Sequence, residues 1–201
     1  MKNVLVEQMS QFIDLTEEQI LAIEESFPIK EFSKGTYLLK QGQIAQDAFL
    51  IIKGCIRCYS IVDGEEVTLD FFMEGDSVAD FNSLANQKPS QNYLTCSEDC
   101  TLAIINAQKE KLLYNRFPSF ETICRIEFEK LIGKKWNKKE EFLKKTPEEK
   151  YLYLLEKKAN LLNRAPQYQI ASYLGIKPET LSRIRKRVAE NKLSNSLPSK
   201  N

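Results

Sequence analysis

Glu179 and Arg183 lie four residues apart in the run Pro178-Glu179-Thr180-Leu181-Ser182-Arg183-Ile184-Arg185-Lys186-Arg187, a spacing that puts two side chains on one face of a helix. A guanidinium reads O6 and N7 of guanine with two bonds, and a carboxylate accepts from N4 of cytosine. The pair therefore has the chemistry of base-edge readout. Lys177, Thr180, Ser182 and Lys186 surround it with donors suited to phosphate oxygens. Such a helix needs an apolar back, and Leu181, Ile184 and Val188 supply one. Upstream, Ile170, Ala171 and Leu174 recur at helical spacing, Gly175 supplies a left-handed helix end, and Pro178 suits the first position of the next helix. Two short helices joined by a tight turn, the second polar in front, make a helix-turn-helix that the major groove of DNA accepts. A solvated charge, or a pair with Glu179, remains the alternative role for Arg183.

Other chemistries are poorly served. The chain has no histidine, which removes Ser-His-Asp and Cys-His arrangements, histidine-ligated zinc and the commonest haem ligand. Neither a Walker A loop nor a GxGxxG fingerprint is present. No catalytic residue and no metal ligand set is assigned, and the expectation is that the protein is not an enzyme. Five cysteines, an odd number, fit a reducing compartment. Cys55 and Cys58 point to opposite faces of a strand, which favours packing. Cys96 and Cys100 flank a turn and can approach each other, leaving packing or a redox role open.

The net charge of +1 hides a division. Residues 1–133 carry 12 basic against 21 acidic residues, a net of −9, and residues 134–201 carry 17 against 7, a net of +10. A basic third that contains the helix-turn-helix points to nucleic acid. No stretch approaches the roughly 20 apolar residues of a membrane span, and the N-terminus lacks a signal-like apolar run. The expectation is a cytoplasmic protein with no membrane contact.

The elements that must position the basic unit follow from texture. Residues 14–27 read as an amphipathic helix, capped by Asp14 or Thr16, with Ile20, Leu21, Ile23 and Phe27 on its apolar face. From Phe32 to about Asn106 short β-rich runs alternate with Gly35, Gly42, Gly54, Gly64 and Gly75, the punctuation of an antiparallel sandwich or roll. Asp63-Gly64 is the strongest hairpin signal. After Pro118 a helix of roughly 25 residues, nearly 40 Å at 1.5 Å per residue, carries Phe120, Ile123, Cys124, Phe128, Leu131 and Ile132 as an apolar stripe, continued less regularly by Trp136, Phe142 and Leu143. Its length suits pairing across a dimer axis, with Phe120, Ile123, Cys124, Phe128 and Leu131 as the seam. Thr146, Pro147 and Glu149 start another helix through a capping box, with Tyr151, Leu152, Leu154, Leu155 and Ala159 facing a core. Asn191–Ser199 reads as a frayed tail. The fold class is α+β, in three units: residues 1–117, 118–145 and 146–201.

This order of elements resembles the Crp/Fnr family of bacterial transcription regulators over almost the whole chain. Gly35-Thr36-Tyr37-Leu38-Leu39-Lys40-Gln41-Gly42, Phe49-Leu50-Ile51-Ile52-Lys53-Gly54 and Phe72-Met73-Glu74-Gly75-Asp76 are similar to successive motifs of its cyclic-nucleotide-binding roll, and Ile170–Arg183 to its recognition unit. The resemblance implies an N-terminal double-stranded β-helix, a dimerisation helix and a C-terminal winged helix-turn-helix. Partners would be a second copy, pseudo-palindromic double-stranded DNA and RNA polymerase. It also assigns base reading to Glu179 and Arg183. Pro178 stands where members of the cyclic-AMP type carry an arginine, so the site read should differ at one position. The wing is reduced, because Asn191–Asn201 holds no second hairpin.

The ligand site departs from the pattern. Cyclic-AMP-binding members place a Gly-Glu after the Gly-Asp turn and an Arg-Ser or Arg-Thr about ten residues on, for ribose and cyclic phosphate. Here Ala79-Asp80 and Ser90-Gln91 take those places, and Lys88 is the only cation between them. Without the arginine a cyclic phosphate loses its charge-assisted partner. Cyclic AMP is not expected, no other cofactor is assigned, and Asp80, Lys88, Ser90 and Gln91 remain a candidate pocket for an unidentified effector. No cysteine precedes Cys55, so the family's N-terminal iron–sulfur site is absent too. The competing reading is an effector-binding signalling module that acts through protein contacts.

Overall fold

The computed structural model describes residues 3–196. Two short helices open it, α1 (Val4–Met9) and α2 (Glu17–Ser26). Thr16 caps α2 in a capping box with Gln19. Then come β1 (Ile29–Phe32), β2 (Tyr37–Leu39), β3 (Asp47–Lys53), β4 (Ile56–Val62), β5 (Glu65–Phe72) and β6 (Ser77–Val78). Helix α3 (Phe81–Asn86) interrupts the strands before β7 (Tyr93–Cys96) and β8 (Cys100–Asn106). Helices α4 (Ala107–Arg116), α5 (Pro118–Leu143), α6 (Pro147–Lys157), α7 (Ala159–Arg164), α8 (Gln167–Leu174) and α9 (Pro178–Ser196) complete the order.

The strands form two four-stranded antiparallel sheets, ordered β1-β8-β3-β6 and β2-β7-β4-β5. Alternation along the strands puts Phe49 and Ile51 of β3, Ile56 of β4, Leu94 of β7 and Leu102 of β8 between the sheets. Burial of that face drives the roll. The Asp63-Gly64 turn joins β4 to β5 as expected, and both residues have positive φ (51° and 83°). This pair of left-handed residues is the type I′ geometry that matches strand twist. Gly54 has a structural reason of its own: a Cβ there would stand 2.5 Å from Cys100 Sγ.

A second core joins the first helices to α4 and the start of α5 through Val6, Ile23, Leu113 and Phe120. A third holds the C-terminal helices and reaches into the roll: Leu154, Leu161, Ile170, Leu181 and Ile184 pack with Cys55 and Phe71. Phe71 of β5 meets Tyr173 of α8 edge-to-face at 5.6 Å, and Phe142 of α5 stacks on Tyr173 at 5.1 Å. Polar bonds complete the joint. Thr68 N–H on the open edge of β5 donates to Ser172 Oγ at 2.9 Å, and Ser172 Oγ donates to the Glu66 carbonyl at 3.3 Å. Arg164, the last residue of α7, bridges Glu74 and Glu98 of the roll.

Several expectations need correction. Leu21 is 59% exposed, and Ala22 takes the buried place beside Ile23. Helix α6 stops at Lys157, so Ala159 opens the separate helix α7 and is exposed, as is Leu152. Helices α1 and α3 were not anticipated, since six-residue helices show too little periodicity to read. Asn191 does not begin a frayed tail, because α9 runs on to Ser196. The remainder of the expected tail and wing region, 197–201, lies outside the described residues.

The joint has a pH signature. Hydrogen bonds from Arg164 hold the Glu74 carboxyl down at about 2, aided by the Gly54 N–H. Its folded value lies below its ordinary one of 4.5, so its contribution is complete above that value and is lost as pH falls toward about 2. Glu74→Gln should flatten the decline in urea midpoint between those two pH values; a decline as steep as that of the native protein would show that another carboxylate causes it.

Candidate nucleic-acid interface

The helix-turn-helix is built as its residues dictate. Gly175 (φ 73°) ends α8 in a Schellman arrangement, with Gly175 N–H on the Ser172 carbonyl and Ile176 N–H on the Ala171 carbonyl, each at 3.0 Å. The Lys177 carbonyl accepts from Thr180 and Leu181 N–H at 3.0 and 3.1 Å and so starts α9. Leu181, Ile184 and Val188 are buried. Glu179, Ser182, Arg183 and Lys186 are exposed along the front with Lys177 beside them, and Thr180 is half-buried at its margin. Among the described residues no ion pair or hydrogen bond joins Arg183 to Glu179, so the intrahelical alternative has no support. Lys186 makes a loose pair with Glu190 at 3.9 Å and is 80% exposed at its side chain. Behind the front, the Arg187 guanidinium grips Glu148 at the N-terminus of α6, with one bond of 3.2 Å, and fixes the rotation of α9.

The long helix behaves differently from its expected seam. Phe120 is 1% exposed and packs among α1, α2 and α4, so it is unavailable to a second copy. Ile123 and Cys124 pack against the same core, and Leu131 is half-buried. Ile132, Trp136 and Leu143 stand exposed along α5, spaced four and seven apart, with Trp136 72% exposed and Phe128 at their margin. Phe128 alone of the expected seam lies at this margin, touching Phe81 of α3 at 5.3 Å. The apolar stripe in the sequence was two adjoining faces, one for the protein's own core and one left uncovered. Residues Lys135 and Lys139 dock α5 on the roll, through the Ser77 and Leu69 carbonyls at 3.0 Å each.

In the roll, Asp80 and Ser90 do come together, but they satisfy each other. Ser90 Oγ donates to Asp80 Oδ2 at 2.6 Å and accepts from Asn92 N–H at 3.0 Å; Asp80 Oδ1 caps α3 through Ser83 N–H at 3.0 Å. Burial works against the Asp80 carboxylate, yet these hydrogen bonds outweigh it and lower its pKa. Ser90 is 3% exposed and its backbone is tied to Gly42 and Gln43 at 2.8 Å. Lys88 and Gln91 are exposed, and Lys88 contributes its carbonyl to Ser83 Oγ. The expected four-residue pocket is therefore not an open site. A half-open cleft of about 460 Å³ lies instead over Leu38, Leu39, Ala45, Asp47, Phe49 and Leu94, with none of the four in its wall. Tested against a cyclic nucleotide, the Asp80–Ser90 segment does not fit: the hydroxyl at the phosphate place is engaged, and its partner is an anion.

All five cysteines are free. Cys100 Sγ donates to the Glu98 and Cys55 carbonyls at 3.2 and 3.6 Å, and burial pushes the Cys55 thiol up to about 12. The residues that attach the helix-turn-helix to the roll, Arg164, Glu74, Glu98 and Ser172, were not foreseen. Partners 66, 90 and 104 positions apart leave no spacing signal.

Residues 29–116 match the family model of the cyclic nucleotide-binding domain. Comparison with curated proteins gives no match. Among solved structures, FixK2 from Bradyrhizobium japonicum is similar with a TM-score of 0.65 at 16% identity, over 83% of this chain and 86% of that one. The c-di-GMP-responsive global regulator CLP from Xanthomonas campestris gives 0.62 at 15%, over 89% and 94%. A CooA variant from Carboxydothermus hydrogenoformans gives 0.61 at 16%, over 91% and 83%. Residues 29–116 thus match a cyclic nucleotide-binding domain, and the described chain shares the fold of FixK2, CLP and CooA. No helix among the described residues is long and apolar enough to cross a membrane.

Ser90→Ala removes the donor to Asp80 and leaves the Asn92 N–H without its acceptor. Urea unfolding should show a loss of about 1–3 kcal/mol; an unchanged midpoint would mean the bridge contributes nothing to the segment.

Proposed function

We propose that the protein is a non-catalytic, DNA-binding transcription regulator that reads a pseudo-palindromic site as a dimer and does so without cyclic AMP. The observation that carries this is the exposed front of α9, where Glu179 and Arg183 stand side by side without pairing, while Leu181, Ile184 and Val188 anchor the back. Glu179 and Arg183 read base edges; Lys177, Thr180, Ser182 and Lys186 hold phosphates. The basic charge of the C-terminal third supports non-specific attraction to DNA, which weakens steeply with salt through counterion release. The similarity to CLP, a global regulator, supports a regulator's role, and RNA polymerase is the partner that role implies.

Selection of bound sites from random duplex DNA tests the reading directly: recovery of a two-fold repeated motif supports it, and recovery of no motif overturns it. Arg183→Ala should weaken specific binding by about 1–3 kcal/mol and relax one base position in each half-site. An unchanged motif in the variant would remove Arg183 from base reading.

The dimer forms along the uncovered face of α5. Ile132, Trp136 and Leu143, with Phe128 partly covered by Phe81, give an exposed apolar line on α5, and a second copy of the helix supplies the matching line across a two-fold axis. Ile132→Asp places a charge in that seam and should convert a sedimenting dimer to a monomer at micromolar concentration without unfolding it. A native protein that sediments as a monomer there would remove the pairing.

Cyclic AMP binding should be weaker than about millimolar, roughly −4 kcal/mol, because the Asp80 carboxylate repels the phosphate. Titration calorimetry showing micromolar affinity would contradict this.

A further inference from the structure

Both edges of the Arg164 guanidinium are engaged. Nη1 and Nη2 fork onto Glu74 Oε2 and Oε1 at 2.8 and 2.7 Å, while Nε meets Glu98 at 3.1 and 3.2 Å and Nη2 closes on the same carboxylate. Only a planar five-donor group can serve two carboxylates in this way. The two glutamates have a particular placement. Glu74 sits in the turn just before β6, six residues ahead of Asp80. Glu98 follows β7, which begins immediately after Asn92. The pair thus brackets the braced Asp80–Ser90 segment on either side. Arg164 itself lies three residues before α8. From there the path to the reading face is short: α8 is held on β5 by Ser172 and Tyr173, and α9 packs on α8 through Leu181 and Ile184.

We infer that Arg164 is a positioning residue for DNA binding, clamping the helix-turn-helix at a fixed attitude to the roll so that two reading helices meet two half-sites together. The inference rests on the DNA-binding reading above and adds to it the means by which the roll governs that site. A clamped unit places the second reading helix close to its half-site once the first has bound. A loose one lowers that effective concentration without changing any contact to DNA. The clamp also makes the Asp80–Ser90 segment part of the same mechanical path, since displacement of either flanking turn pulls on the guanidinium.

The test uses the full chain and two duplexes carrying the selected motif, one with both half-sites and one with a single half-site. Arg164→Gln should weaken binding to the two-site duplex about tenfold and leave the single-site duplex within about twofold. Glu74→Gln combined with Glu98→Gln should reproduce this, and adding Arg164→Gln to that pair should cost no more, as expected for one coupled unit. Arg164→Lys keeps the charge but cannot fork, so it should fall between native and Gln; native behaviour would overturn the bridging role. Hydrogen exchange gives a readout that general weakening would not imitate. The Thr68 amide, bonded to Ser172, should exchange at least tenfold faster in Arg164→Gln, while β3 and β8 stay unchanged. Equal losses on both duplexes, tighter binding of either, or uniform acceleration of exchange would each overturn the inference. If the native protein binds neither duplex, the DNA reading fails by itself, and exchange at Thr68 still decides whether the clamp holds.

Discussion

Phe71 projects from the roll into the C-terminal helices, where Tyr173 meets its edge and Phe142 stacks on Tyr173. Three elements distant in sequence thereby share one apolar joint: strand β5, the long helix α5 and the first helix of the helix-turn-helix. Without it the helix-turn-helix would be a small helical cluster on a tether, since residues 146–196 are too few to bury a large core alone. With it, the orientation of α9 becomes a property of the whole chain. Around the joint stand the polar bonds, Thr68 to Ser172, Lys158 to the Phe71 carbonyl and Arg164 to its two glutamates. Aromatic burial supplies the adhesion there, and the hydrogen bonds set the angle.

Seen this way, the charge division of the sequence has two uses. Basic residues of the C-terminal third that face outward, Lys177, Arg183 and Lys186, are available to an anionic partner. Others face the acidic roll: Lys135 approaches Asp76 at 3.5 Å, Lys139 and Lys158 approach Asp70 at 3.7 and 3.8 Å, and Arg164 takes Glu74 and Glu98. Partly exposed pairs of this kind contribute little stability one at a time. As a set on one boundary they select which surface of the roll the helices adopt, because a like-charged approach is disfavoured.

What the sequence made legible was local. The Asp63-Gly64 hairpin, the capping box at Thr146, the Gly175 helix end and the Leu181/Ile184/Val188 back of α9 all follow from rules spanning a few residues, and the structure has each of them. The meeting of Asp80 with Ser90 was legible from resemblance, but its meaning was not. Whether two polar side chains line a site or bond to each other depends on backbone placement, here fixed by Gly42 and Gln43. The stripe on α5 misled for a related reason. Periodicity reports that a face is apolar and says nothing of what covers it, so Phe120 was placed in the seam although it is buried at home, while Trp136, outside the expected seam, is bare. Arg164 carried no signal, since a lone cation among many gains its role from carboxylates 66 and 90 residues away.

Strand β5 ends its sheet, and α8 lies over that open edge. An uncovered edge with a free N–H such as that of Thr68 is a template on which a strand from another molecule can add. Ser172 is the cover, filling one donor and one acceptor of the edge with a single hydroxyl. The helix-turn-helix therefore also guards this edge: a chain truncated before α8, or one whose helices lift away, presents β5 as a sticky rim, and self-association into β-linked aggregates becomes its characteristic failure.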